Sequence, residues 1–68
     1  MPNKYLPLAA MEKILKNSGA ERVADNAKVE LRRVIEDLAG DISLQATKLA
    51  SHAGRKTVKS GDIRLASK

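Results

Sequence analysis

Residues 26–53 read NAKVELRRVIEDLAGDISLQATKLASHA. Apolar residues recur in this stretch at spacings of three and four, which is the repeat of one face of a helix. They are Leu31, Ile35, Leu38, Ile42, Ala46, Leu49 and Ala53. The pattern predicts a single helix about 42 Å long, at 1.5 Å per residue. A compact globule of 68 residues would be roughly 28 Å across, so this helix is too long for its own chain to cover.

The composition also favours a core that is shared between chains. A chain this short buries only about 60% of its unfolded surface when it folds alone, and it has no cysteine for disulfides or thiolate metal sites. Ala39 and Gly40 lie near the middle of the long helix, where small residues let two backbones approach closely. We predict that two copies cross there, with a surface glycine as the alternative for Gly40. The predicted dimer core comprises Leu31, Ile35, Leu38, Ala39 and Ile42.

Two short helices are predicted on either side of the long one, which makes the chain all-α. The first begins near Pro7 and ends at Gly19, because glycine readily adopts the left-handed conformation that ends helices. Asp25 is expected to cap the long helix and Gly54 to end it. Ser60 is expected to cap a short third helix.

Positive charge is concentrated at the two ends of the chain, which has a formal net charge of +5. Lysine and arginine outnumber acids in residues 1–24 and again from residue 53 onward, whereas acids are in excess in residues 25–46. This distribution favours a protein that meets a polyanion with its ends. The central acids Glu36, Asp37 and Asp41 are expected to form a solvated helix face, since carboxylates without a turn or further ligands make a poor metal site.

Several classes of function are disfavoured. Ser51 and His52 are adjacent and so point about 100° apart on a helix, and no glycine-rich phosphate loop occurs, so we expect no enzyme, cofactor, metal or small-molecule substrate. No apolar run approaches the roughly 18 residues of a membrane span, which favours a cytoplasmic protein. A helix-turn-helix regulator is disfavoured because the long helix, apolar along its length, has little free face for reading bases.

The two predicted loops carry a family resemblance. Gly19-Ala20-Glu21-Arg22-Val23 precedes the long helix, and His52-Ala53-Gly54-Arg55-Lys56-Thr57-Val58-Lys59 ends it, with Asp62-Ile63 beyond. In order and spacing, the chain resembles an archaeal-type histone over residues 5 to 66. The resemblance implies one histone-fold domain over residues 1–68, with residues 1–5 as a flexible extension, in an intertwined head-to-tail homodimer.

The resemblance also implies a function on the chromosome, in the nucleoid. The expected activity is sequence-nonspecific binding, wrapping and compaction of double-stranded DNA, by dimers that can assemble into tetramers or longer superhelices. A histone paralogue can replace the second copy. The alternative is a histone-fold protein-interaction subunit that heterodimerises in a transcription-related complex without wrapping DNA.

Residue roles follow from the same resemblance. In the family, the first loop of one chain lies beside the second loop of its partner, and Arg22 matches an arginine that enters the minor groove. Arg55 matches an arginine that braces the second loop through Asp62. Glu12 places an acid on a helix expected to face DNA, where it would weaken binding. The implied DNA-binding residues are Arg22, Lys56, Thr57, Arg55, Lys13, Lys16 and Lys59.

A second implied surface joins dimers to one another, and it comprises Leu49, His52 and Asp62. A single histidine is otherwise more often a plain surface residue. Gly19 matches the position whose missing side chain lets successive turns of the superhelix approach.

Overall fold

The structure is a computed structural model that describes residues 5–68, and it contains three α-helices. They are α1 (Leu8–Asn17), α2 (Asp25–His52) and α3 (Ser60–Ala66), and no strand occurs in the described part. The predicted all-α order of short, long and short helix is confirmed. Residues 1–4 of the predicted N-terminal extension lie outside the described residues. None of the described helices is both long and apolar enough to cross a membrane.

The chain divides into two compact units, Met1–Asp37 and Leu38–Lys68. In the first unit, α1 ends as predicted at a glycine. Gly19 has a φ of +111°, and the N–H of Ala20 donates to the C=O of Leu15 at 3.1 Å. This is the hydrogen bond that commonly closes a helix whose next residue adopts a left-handed conformation.

The start of α2 differs from the prediction by one residue. The C=O of Ala24 accepts the N–H groups of Ala27 at 3.1 Å and Lys28 at 3.4 Å, so Ala24 is at the N-cap position. Asp25 is the first residue of the helix, and its Oδ1 lies 3.2 Å from Lys28 Nζ. The predicted N-cap at Asp25 is wrong, because Asp25 lies in the first turn of α2. Its negative charge interacts favourably there with the positive end of the helix dipole.

Glu36 is buried and does not belong to a solvated face. Only 8% of it is exposed, and its carboxylate accepts the backbone N–H groups of Tyr5 and Leu6, the latter at 2.6 Å. The prediction is therefore wrong for Glu36, because the two backbone N–H groups before α1 donate to its Oε2 and the carboxylate is buried there. Asp37 and Asp41 are exposed, as predicted.

In the second unit, Gly54 ends α2 in the same way as Gly19 ends α1. Its φ is +73°, and the N–H of Arg55 donates to the C=O of Ala50 at 2.9 Å. At α3 the prediction fails by one residue, since Ser60 is the first helical residue and Lys59 is at the N-cap position. The helix start is stabilised by Asp62, the third residue of α3, whose carboxylate accepts the backbone N–H of Lys59 at 2.8 Å.

Few apolar side chains are buried within the chain itself. In the described residues the buried apolar side chains are Met11, Ala46 and Ala50. Of the predicted dimer core, Leu31, Ile35 and Ile42 are half-buried, whereas Leu38 is 59% exposed and Ala39 is exposed. Large apolar side chains that remain exposed include Ile14, Val34, Leu38, Ile63 and Leu65. So much exposed apolar surface on a small chain marks an interaction surface.

Gly40 lies on the opposite side of α2 from Leu38 but one helical turn from Leu44, which is 55% exposed. At 100° per residue Gly40 stands about 160° around the axis of α2 from Leu38. No atom outside its own backbone neighbourhood lies within 4 Å of the place where a Cβ would stand. The crossing at Ala39 and Gly40 and the surface-glycine alternative for Gly40 both stay predictions.

Candidate nucleic-acid interface

The predicted DNA-binding residues of the first unit are Lys13, Lys16 and Arg22, which we call the first-loop group. Lys13 and Lys16 lie on α1, and Arg22 lies in the loop between α1 and α2. All three are exposed. Lys13 and Arg22 form no ion pair within the described part of the chain, whereas Lys16 does.

Lys16 belongs to a network of alternating charges that joins α1 to the start of α2. Glu12 Oε2 lies 3.2 Å from Lys16 Nζ, and Glu12 Oε1 accepts a hydrogen bond from Lys28 Nζ at 3.0 Å. Lys28 is also paired with Asp25 at 3.2 Å. The two lysines lower the pKa of Glu12, with the hydrogen bond from Lys28 as the largest cause. Glu12 and Asp25 in turn raise the pKa of Lys28.

The predicted DNA-binding residues of the second unit are Arg55, Lys56, Thr57 and Lys59, which we call the second-loop group. They follow the left-handed turn at Gly54, and α3 begins directly after them. Lys56, Thr57 and Lys59 are exposed, and neither lysine is ion-paired in the described chain. Arg55 is half-buried and is oriented inward along the loop.

The structure brings Arg55 and Asp62 together in a two-pronged contact. Arg55 Nη2 donates to Asp62 Oδ1 at 2.9 Å, and Nη1 donates to Oδ2 at 3.0 Å. Nη1 also donates to the C=O of Thr57 at 2.8 Å, so one guanidinium holds both sides of the loop. The hydrogen bonds from Arg55, followed by that from the Lys59 N–H, lower the pKa of Asp62 from 3.8 to about 2. This geometry makes Arg55 chiefly a residue that shapes the loop.

Four cations of the predicted set form no ion pair within residues 5–68 and are available to an anion. They are Lys13, Arg22, Lys56 and Lys59. Exposed cations on loops release counterions when they neutralise phosphates, and exposed loop N–H groups and the Thr57 hydroxyl can fix the register of the backbone.

The residues predicted to join dimers differ in accessibility. His52 is exposed at the end of α2, and Leu49 is half-buried one turn earlier. Asp62 is 5% exposed, and its two oxygens accept three hydrogen bonds from Arg55 and Lys59. A bond from the histidine of another dimer to Asp62 would have to use a remaining lone pair, and this contact stays a prediction.

Sequence reasoning missed two features near the predicted site. The first is the role of Lys28, which holds Glu12 and Asp25 together. The spacing of three residues between Asp25 and Lys28 indicates that these two can pair on one helix. The contact between Lys28 and Glu12 joins two helices, and no sequence spacing indicates it. The second is Arg64, an exposed cation on α3 that was assigned no role.

Comparisons with known proteins point to a single family. A sequence model described as "Histone-like transcription factor (CBF/NF-Y) and archaeal histone" matches residues 4–66. A subunit of the archaeal histone HAN1 from Thermococcus zilligii is 44% identical over 63 residues, which cover 93% of this chain and 94% of that protein. Probable archaeal histone 3 of Methanocaldococcus jannaschii is 41% identical over 61 residues, covering 90% and 91%.

Proposed function

Because this chain belongs to the family of histone-like transcription factors and archaeal histones, we propose that it binds and compacts double-stranded DNA as a histone-fold dimer. The family and the three-helix order agree on the histone fold. We further propose that its binding is independent of base sequence and bends the duplex around the outside of the dimer. Tetramers or longer superhelices would then form along the wrapped DNA.

The observation that carries this proposal is the set of exposed, unpaired cations in the two loop groups. Lys13 and Arg22 come from the first-loop group, and Lys56 and Lys59 come from the second. A head-to-tail dimer places the first loop of one chain beside the second loop of its partner, which would gather all four types of cation at each end. Such a site would bind the phosphates of DNA. Arg22, inserted in the minor groove, would bind more tightly where that groove is narrow.

Dimerisation is supported by the apolar surface that the single chain leaves open. Val34 and Leu38 are one helical turn apart on α2 and are 47% and 59% exposed. Covering a large apolar side chain is worth about 1.5–3 kcal/mol for complete burial, so several such residues supply a substantial driving force. A second copy of this chain is the simplest partner to cover this apolar surface. A histone paralogue in place of the second copy would give a heterodimer of the same arrangement. One of the relatives is itself named as a subunit.

The protein-interaction subunit that does not wrap DNA is not favoured, since both relatives named above are archaeal histones. The family is a structural DNA-binding family, and we propose that this member has no enzymatic activity. It is a chromosome-associated protein. We assign it to the nucleoid in the cytoplasm.

Nuclease digestion of saturated DNA tests the proposal. Two unrelated duplexes of equal length and similar base composition should be bound with similar affinity, and digestion of a long DNA should leave protected lengths in regular steps. A single short footprint would restrict assembly to dimers or tetramers. Absence of binding to any duplex at low salt would overturn the proposed function.

A further inference from the structure

The acid Glu12 lies between two lysines, one of which, Lys16, belongs to the first-loop group. Its two carboxylate oxygens lie 3.2 Å from Lys16 Nζ and 3.0 Å from Lys28 Nζ. Both distances are those of an ion pair, slightly longer than the roughly 2.7–2.9 Å of the strongest charge-assisted hydrogen bonds. Lys16, predicted to contact DNA, therefore already has an acidic partner in its own chain.

The two lysines are held with different strength. The Lys28 side chain is only 18% exposed and has two acidic partners, Glu12 and Asp25. The Lys16 side chain is 51% exposed, and Glu12 is its one acidic partner in the described chain. Lys28 thus holds the Glu12 carboxylate in place, and Lys16 is the lysine that can break its ion pair with Glu12.

We propose that Glu12 is an internal competitor of DNA that sets the affinity of the first-loop group. This inference rests on the proposed function, because it concerns the same DNA-binding surface. When DNA approaches, Lys16 must exchange the Glu12 carboxylate for a phosphate, and Glu12 remains beside Lys28 as a negative charge near the DNA backbone. The exchange replaces one ion pair with another, so Lys16 adds little to affinity and little to counterion release.

Removing the Glu12 charge should therefore convert Lys16 into a productive contact. The Glu12→Gln side chain keeps the length and one oxygen acceptor, and Glu12 is only half-buried on α1, so the fold is retained. A dimer has two Lys16 side chains, and each freed contact adds about 0.9 to the slope of log affinity against log salt, or about 1.8 in all. Binding at low salt should tighten by roughly three- to tenfold, as expected for two exposed ion pairs.

The matched control is Asp41→Asn. Asp41 is an exposed acid on α2 with no ion pair to any described lysine or arginine, and its loss changes the net charge by the same amount. Anisotropy titrations of a labelled duplex between about 50 and 200 mM salt would compare both variants with the wild type. Thermal melts of each variant verify that folding is intact.

The decisive measurement is the coupling between Glu12 and Lys16. Lys16→Ala should leave the salt slope nearly unchanged in the wild type but should flatten it by about 1.8 in the E12Q background. A merely structural effect of Glu12 on the loop would not depend on Lys16. The inference is overturned if E12Q and D41N behave alike, or if Lys16→Ala has the same effect in both backgrounds. If the wild type and all variants fail to bind, the proposed function itself is overturned.

Discussion

Replacing Lys56 by alanine tests whether DNA affinity resides in particular loop cations. Within residues 5–68 of each chain, four cations of the predicted interface form no ion pair, so a dimer would present eight. At about 0.9 per neutralised phosphate, log affinity should fall with log salt at a slope of about 7. Had Lys16 and Arg55 also been available, twelve cations would give a slope of about 11. The ion pairs within each chain thus predict a salt slope of about 7, which the net charge alone does not predict.

Lys56→Ala removes two of the eight cations and should flatten the slope by about 1.8. Across a fourfold rise in salt, the variant should then lose about one decade less affinity than the wild type. The assay is a set of anisotropy titrations on two unrelated duplexes at several salt concentrations. Lys48→Ala is the matched control, because Lys48 is an exposed lysine of α2 outside the predicted set. Equal flattening by both variants would refute the localised site, as would a loss confined to one duplex.

Three further predictions concern stability. Leu38→Ala should lower the free energy of unfolding of the dimer by about 2–5 kcal/mol per copy if Leu38 is buried at the helix crossing, and a change below about 0.5 kcal/mol in denaturant titrations would show that it stays in solvent. Because the pKa of Asp62 is lowered from 3.8 to about 2, its stabilising effect should be complete above about 3.8 and disappear as the pH falls towards about 2. The stability of Asp62→Asn should therefore fall less than that of the wild type between about pH 4 and pH 2 in unfolding titrations. An identical pH dependence of stability in the two proteins would contradict the ion pair between Asp62 and Arg55. Gly54→Ala, at a φ of +73°, should cost about 1–2 kcal/mol, whereas Gly61→Ala inside α3 should be neutral or stabilising in the same melts.

The order of the helices was predictable because each signal was local or periodic. The repeat from Leu31 to Leu49 requires only that one helix face be apolar, and the glycines at 19 and 54 supply the left-handed conformation that helix ends need. The caps were less predictable. A shift of one residue moves Asp25 from the cap into the first turn, and both positions suit an acid.

The site was only partly predictable because its electrostatics depend on contacts between elements. A sequence shows that Lys13 and Lys16 share a helix, but it does not show that Glu12 bridges Lys16 to Lys28 on α2. Burial is equally non-local. Glu36 and Asp37 are neighbours with the same charge, yet Glu36 is buried and accepts the N–H groups of Tyr5 and Leu6, whereas Asp37 is exposed and accepts a hydrogen bond from Arg33.

These pairings change how the charge of the protein relates to its function. The formal net charge of +5 counts every lysine and arginine equally, but Arg33 is paired with Glu30 and Asp37 within α2, and Arg55 is committed to Asp62. We expect such arginines to stabilise the chain and to release few counterions when DNA binds. Two relatives with the same net charge can therefore differ by roughly three- to tenfold in affinity at low salt if one carries an acid next to a loop cation. For a protein that must hold DNA and still exchange from it, moving a single carboxylate is a simple way to adjust that balance.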